Sequence, residues 1–202
     1  MTSLLVATRN PGKKREIEDF LRAGGLAIQL FSLGELDIAD EIEESGATFA
    51  ANARLKADFY GCLSGWDTLG DDSGLEVAGL AGRPGVLSAR YAGMGASDDA
   101  RILKLLDEMK GIADRRARFV CAVCISRHGT PLAEFSGGVE GEILFSKRGK
   151  GGFGYDPLFF YPPLGKTFAE LTLEEKNRVS HRSKALHQAR EFIVNGGLEN
   201  FA

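Results

Sequence analysis

Residues 117–145 constrain this chain more than any other stretch: Ala117–Arg127 and Leu132–Phe145 read as two long strands around a turn at His128-Gly129-Thr130. Phe119–Ser126, inside the first of them, is an unbroken apolar run, the pattern of a buried strand. Cys121 and Cys124 fall within it. A separation of three turns them to opposite faces, and no second cysteine pair completes a tetrahedral site, so they read as core packing rather than as zinc or redox chemistry. An antiparallel pair is the simplest assignment, and a buried strand needs cover, so helices have to come from the rest of the chain.

They do. Ser3–Ala7 reads as a short strand, Pro11-Gly12 as a turn, and the following residues as a helix with Ile17, Phe20 and Leu21 on one face. Leu26–Leu33 reads as a second strand, Ile38–Gly46 as an exposed acidic segment, and Thr48 to Cys62 as a helix. A strand end is expected at Thr68-Leu69 and a strand fragment at Leu75–Leu80, leading into a turn set by Gly79, Gly82, Pro84 and Gly85. Ser97-Asp98-Asp99 offers caps for a helix over Ala100–Met109, and Thr172-Leu173-Glu174-Glu175 fits a capping box, with helical spacing continuing over Lys184–Val194. This order predicts an α/β fold with a long mixed sheet flanked by helices. At 202 residues the chain is one domain, or two small lobes sharing a core.

Composition narrows the partners. A net charge of -3 and a pI near 5.7 argue against a broad basic surface gripping nucleic acid, while leaving room for a small anion held by a few cations. Three cysteines, an amino terminus unlike a signal peptide, and no apolar run near the roughly 20 residues that span a bilayer point to the cytosol and to no membrane partner.

Several segments could carry chemistry. Thr8-Arg9-Asn10-Pro11-Gly12-Lys13 sits where a strand hands over to a helix, so free amides, the helix dipole and the side chains of Thr8, Asn10 and Lys13 suit phosphate; the bland alternative is a plain turn with a solvated lysine. The acidic set is Glu41, Glu43, Glu44, Asp71 and Asp72. Glu41–Glu44 also reads as a solvated loop. Asp71-Asp72-Ser73-Gly74 follows the expected strand end, where open α/β sheets hold ligands. Adjacent carboxylates on extended chain point opposite ways, so one reaches a metal while the other anchors the loop, and one carboxylate from each cluster suffices for Mg²⁺. Thr48, Asn52 and Lys56 recur at helical spacing, either an ordinary polar face or a stripe that sets a cation beside that metal.

Gly149–Pro157 contains G-x-G-x-x-G, but the strand-like Tyr155–Phe160 follows it instead of a helix, which rejects a dinucleotide fold. Phe153 and Asp156 suit a nucleobase, the ring for stacking and the carboxylate for a polar contact, although Phe153 is equally a core residue. Lys176, His181 and Arg182 lie near the junction of the two carboxyl-terminal helical segments; His181 could be a catalytic base, but with no nucleophile paired to it recognition is preferred, and Lys176 and Arg182 are donors only. Donors match a 6-oxo purine and mismatch the amino group of adenine.

Taken in order, these segments resemble the inosine/xanthosine triphosphate pyrophosphatases, enzymes of non-standard purine nucleotides. The pieces are Thr8-x-Asn10-x-x-Lys13, Glu43-Glu44-Ser45-Gly46-x-Thr48-Phe49, Asn52-Ala53-x-x-Lys56-Ala57, Asp71-Asp72-Ser73-Gly74-Leu75, Pro84-Gly85-x-x-Ser88-Ala89-Arg90-Tyr91, Gly152–Pro157 and Ser180-His181-Arg182. The resemblance implies a long mixed sheet with two helical lobes enclosing a cleft, usually as a homodimer. It implies that Thr8, Asn10 and Lys13 hold a nucleoside triphosphate's phosphates, that Glu44 and Asp72 bind Mg²⁺, and that Asp72 is the general base. Lys56 would neutralise phosphate charge and Ser73 would touch the nucleotide. Phe153, Gly154, Tyr155 and Asp156 would meet the base, with Lys176, His181 and Arg182 at the purine edge. Two positions depart from the family pattern: Gly70, where a small apolar residue is more frequent, and Arg9, a cation where smaller residues are frequent. The expected reaction converts inosine, deoxyinosine or xanthosine triphosphate to monophosphate and pyrophosphate. A regulatory module that holds the nucleotide without cleaving it is the alternative.

Overall fold

A computed structural model of the chain describes residues 2–23 and 28–198. Among these residues, seven strands form one sheet in the order β2-β1-β3-β4-β5-β6-β7. The chain divides into two compact units, the first from Met1–Asp72, Cys121–Gly137 and His181–Ala202, the second from Ser73–Val120 and Gly138–Ser180.

In the first unit, β1 (Thr2–Ala7) pairs in parallel with β2 (Ile28–Ser32) and with β3 (Asp67–Val77). Leu26 and Ala27 of the expected second strand lie outside the described residues. Between β1 and β2 runs α1 (Pro11–Ala23), whose buried face carries Ile17, Phe20 and Leu21 as the spacing requires, together with Glu16. The helix α2 (Phe49–Ser64) is capped by the Thr48 hydroxyl, which accepts from Ala51 N, and ends on Gly65 in the left-handed region, φ 68. The helix α5 (His181–Val194) brings Ala185, Leu186 and Ala189 into a core with Leu4, Val6, Leu69, Cys121 and Val123.

Gly70 explains how closely α2 lies on β3. A Cβ there would sit 2.2 Å from the Ala53 carbonyl oxygen and 2.7 Å from Ala57 N, so only glycine admits the helix backbone at this distance.

The hairpin has the predicted form. β4 (Arg116–Arg127) and β5 (Thr130–Ile143) are sheet neighbours joined through His128 and Gly129, both at positive φ (50 and 86), the backbone of a tight two-residue turn.

The second unit holds α3 (Asp98–Glu108), capped by Ser97, and the short antiparallel strands β6 (Phe159–Tyr161) and β7 (Lys166–Thr167). It also holds α4 (Leu173–Val179), whose start is the expected capping box between Thr172 and Glu175. Its core gathers Leu75, Val77, Leu105, Phe119, Phe159 and Phe168.

Two boundaries differ from the sequence reading. There is no strand end at Thr68-Leu69: β3 runs on through Gly70-Asp71-Asp72-Ser73-Gly74 to Val77, and Ala78–Leu80 is a 3-10 turn. The acidic pair therefore lies inside a strand, because ion pairs rather than apolar contacts satisfy its burial. Tyr155–Leu158 is turn, not strand; β6 begins at Phe159.

Candidate active site

In the first unit, β1 ends at Ala7 opposite Gly70, so the turn that opens with Thr8 starts beside the acidic pair. Asn10 caps α1, its Oδ1 accepting from Lys13 N at 3.1 Å, and the Thr8 hydroxyl oxygen accepts from Asn10 N at 3.2 Å. Pro11 at the first helical position needs no donor there. These bonds fix the turn and aim the start of α1, a natural anion site. A cavity of about 260 Å³ opens at this turn, lined by Thr8, Arg9, Asn10 and Lys14 with Ser32 and Leu33. A larger hollow, about 470 Å³, sits by Ser3, Trp66 and Asp67 at the opening ends of β1 and β3. Its charged residues Arg127 and Asp67 are bound to each other at 2.9 and 3.0 Å, so the cavity at the turn is the better candidate.

The acidic residues divide their work as extended chain dictates. Asp71 is fully buried, 2.8 Å from Lys13 Nζ and 3.3 Å from Arg182 Nε, and it accepts from the Cys121 thiol at 3.0 Å. Burial alone would raise its pKa, but Lys13 and Arg182 outweigh that and hold the carboxyl well below its ordinary range. Asp72 faces the other way. Its Oδ1 lies 3.4 Å from Lys56 Nζ and 3.8 Å from Lys13 Nζ, while its Oδ2 accepts from Asn52 Nδ2 at 3.1 Å. Burial raises its pKa, and the nearby Glu44 and Asp71 charges add to this against the two lysines.

Glu44 belongs to the segment expected to be exposed. Glu41 and Glu43 are exposed, but Glu44 turns inward and takes the Lys56 ammonium at 2.8 Å. Lys56 thus spans Glu44 and Asp72, and these carboxylates raise its pKa despite a burial that would lower it. Asn52, read in the sequence as part of the polar stripe on this helix, bridges the same two elements: its Oδ1 accepts from Gly46 N at 2.7 Å while its Nδ2 donates to Asp72. Arg9 is engaged as well: its Nη2 donates to the Ile38 and Asp40 carbonyls at 2.9 Å each, tying the acidic segment to the turn before α1. Among the described residues, no group of three or more His, Cys, Asp and Glu converges as a ready-made metal cage.

Arg182, expected at the purine edge, is 1% exposed; its guanidinium bonds Glu16 on α1 as well as Asp71. Glu16 was not singled out from the sequence, where only the apolar face of α1 was read. Its spacing of three from Lys13, next to the buried Ile17, was the available signal. His181, at the start of α5, is buried.

In the second unit, Asp156 and Lys176 are buried and paired at 2.5 Å. The same Asp156 oxygen accepts from Phe153 N at 2.9 Å, and Lys176 Nζ stands 4.9 Å from the centre of the half-buried Phe153 ring. Gly154, at φ 60, donates its N–H to Asp98 at 2.6 Å. Tyr155 is a core residue whose hydroxyl donates to the Ser88 carbonyl at 3.0 Å. Ser73 follows Asp72 on β3 and is half-buried.

Comparison with known proteins identifies the family. Residues 4–192 match the profile of the Ham1 family. A Geobacter sulfurreducens protein named dITP/XTP pyrophosphatase is 48% identical over 201 residues, covering 98% of this chain and 100% of its own length. One of the same name from Bacillus subtilis is 44% identical over 195 residues, with 96% and 98% covered. The structure of a HAM1 protein from Coxiella burnetii superposes with a TM-score of 0.87 at 39% identity, covering 96% of this chain and 100% of that one. The Staphylococcus aureus Ham1 protein does so at 0.84 and 38%, with 96% and 99% covered. Likeness of sequence and of fold, over nearly the whole chain, leads to one conclusion: this chain belongs to the Ham1 family.

Proposed function

We propose that this chain, acting as one catalytic domain, hydrolyses inosine, deoxyinosine and xanthosine triphosphates to the monophosphate and pyrophosphate, removing deaminated purines from the nucleotide pool. The observation that carries this reading is the Lys56 ammonium, 2.8 Å from Glu44 and 3.4 Å from Asp72: two carboxylates from separate segments already share one cation. The full-length relatives named dITP/XTP pyrophosphatase support the substrate class.

That shared cation is also the test of fit for a metal. Mg²⁺ takes one or two protein carboxylates and completes its shell with water and phosphate oxygens, so Glu44 and Asp72 are a sufficient protein donor set. Bound there, Mg²⁺ would supply neutralisation of phosphate charge and make water more acidic. The residues do the rest. Thr8, Asn10 and Lys13 hold the phosphate tail at the start of α1, and Lys56 balances its charge. A water oxygen forms a bond to the α-phosphorus while the bond from that phosphorus to the bridging oxygen breaks; pyrophosphate leaves with the bridging oxygen. Asp72 accepts the water's proton.

On the base side, Ser73 touches the nucleotide and Phe153 offers a ring face beside Gly154, Tyr155 and Asp156. Lys176, His181 and Arg182 favour the 6-oxo group of the base, Lys176 held by Asp156 and Arg182 by Glu16 and Asp71. Incubation with inosine triphosphate and Mg²⁺, assayed separately for pyrophosphate and orthophosphate, tests the reading. Pyrophosphate alone is expected; orthophosphate alone would make the chain an ordinary phosphatase, and neither product a binding module.

A further inference from the structure

In the second unit, the two amides on either side of the Phe153 Cα are each held by a carboxylate. Phe153 N donates to Asp156 at 2.9 Å, and Gly154 N donates to Asp98 at 2.6 Å. Asp156 is anchored by Lys176, inside the site already described. Asp98 lies outside it, at the first position of α3, where the Ser97 hydroxyl already caps the helix by accepting from Ala100 N at 3.2 Å. The Asp98 carboxylate is therefore available to another segment. Its Oδ1 is 2.7 Å from Arg101 Nη2, one turn further along α3. Arg101 in turn donates from Nη1 to the Ala89 carbonyl at 2.9 Å and from Nη2 to the Ala96 carbonyl at 3.0 Å. Tyr155 donates to the neighbouring Ser88 carbonyl at 3.0 Å. The 3-10 turn Gly85–Arg90, whose motif has had no part in the reaction so far, is thus tied to the glycine loop twice: directly through Tyr155, and through the Arg101 and Asp98 pair.

We infer that Asp98 is a positioning residue for base recognition: by holding Gly154 N it fixes the turn that presents the Phe153 ring, and Arg101 holds Asp98 in place. The inference rests on the base side of the reading above. Its physical basis is the backbone of the loop. Gly152 and Gly154 stand at φ 70 and 60, and a glycine reaches the opposite sign of φ as readily, so neither residue by itself keeps the loop in one conformation. The bonds to the two carboxylates do that work, Asp156 ahead of the Phe153 side chain and Asp98 behind it. A bond from a backbone amide to a carboxylate is stronger than one to a neutral acceptor, and the bonds of Arg101 to two carbonyls fix where that carboxylate points. Take Asp98 away and the Phe153 peptide is held from one side only, so its ring faces the base in a smaller share of the molecules. Thr8, Asn10 and Lys13, which hold the phosphate tail in that reading, belong to the other unit, whereas the Asp98 bonds lie within the second. The loss therefore falls on the base and spares the tail.

The experiment compares wild type, Asp98→Ala and Ser97→Ala in excess Mg²⁺, at a temperature where all three are folded by circular dichroism. Ser97→Ala removes the cap of the same helix and leaves the Gly154 bond in place, so it controls for a merely structural role. Two competitors of inosine triphosphate are used: inosine monophosphate, which carries the base, and inorganic tripolyphosphate, which carries only the tail. For Asp98→Ala the expected result is a rise of roughly tenfold in KM and in the inosine monophosphate inhibition constant, with kcat and tripolyphosphate inhibition within about threefold of wild type. Ser97→Ala should melt earlier with KM and both inhibition constants unchanged. Unchanged KM and inosine monophosphate inhibition in Asp98→Ala, even with a lower melting temperature, would reduce Asp98 to a structural residue and overturn the inference. So would an equal loss of both competitors, or the same rise in Ser97→Ala. Should Asp98→Ala fail to fold, Asp98→Asn is read in the same way, with an expected rise of roughly threefold, because its amide oxygen still accepts from Gly154 without the charge that pairs with Arg101. If inosine monophosphate does not compete even in wild type, the base side of the functional reading fails and takes the inference with it, a result distinct from equal competition in wild type and variant.

Discussion

Lys56 and Glu44, from a helix and an irregular acidic segment, are paired at 2.8 Å, and the same ammonium reaches Asp72 at 3.4 Å. A protein cation stands between the two carboxylates that suit a divalent one. Lys56 has therefore two partners to lose and one competitor to meet.

Lys56→Met should expose that competition. Removing the ammonium takes a shared counter-charge from Glu44 and Asp72, at a cost of roughly 2 kcal/mol, below the usual figure for a broken buried pair because the Glu44 side chain is 27% exposed and Asp72 keeps Lys13 and Asn52. Mg²⁺ should then raise the melting temperature of the variant by more than that of wild type, while kcat/KM falls at least about tenfold through loss of a phosphate-neutralising charge. Equal stabilisation of both proteins by Mg²⁺ would mean that ammonium and metal do not share these carboxylates.

Gly70→Ala probes the seating of α2. The new Cβ would lie 2.2 Å from the Ala53 carbonyl, forcing the helix outward at a cost of about 1–3 kcal/mol. Because α2 carries Asn52 and Lys56, activity should drop along with stability. Urea unfolding and steady-state kinetics check this; a variant as stable as wild type would contradict the close approach.

The thiols give a prediction in alkali. Cys62 is exposed, whereas Cys121 and Cys124 are buried, and burial pushes the Cys124 thiol up to about 12 from an ordinary 9.0. One thiol should react with an aromatic disulfide reagent in the native protein at pH 8, and three after denaturation. A thiol raised on folding contributes stability that is complete below pH 9 and is lost as pH climbs toward 12, so the unfolding midpoint should decline across that window. A second fast-reacting thiol, or a flat midpoint above pH 9, would oppose it.

Much of this site could be read before any coordinates. Ser97 announces itself as a cap, Thr172 and Glu175 as a capping box, and Phe119–Ser126 as a buried strand, because each depends on residues close in sequence. The β3 strand was hidden for the opposite reason. Thr68–Gly74 is polar yet almost wholly buried, since its side chains are satisfied by Lys13, Asn52, Lys56 and Arg182 from distant segments, and apolar periodicity has nothing to report. Glu16 was missed on the same ground. That Asp71 and Asp72 take different main partners, Lys13 and Arg182 for the one and Lys56 and Asn52 for the other, did follow from two-residue alternation.

The central claim is that Asp72, buried and set among Lys13, Lys56 and Glu44, removes the proton from the attacking water. Asp72→Asn keeps the volume and the contact with Asn52 while deleting the base. Pyrophosphate release from inosine triphosphate in Mg²⁺, measured beside a circular dichroism spectrum, should fall by about a thousandfold or more with the spectrum unchanged. Release within a few-fold of wild type would remove Asp72 from the chemistry, and the account with it.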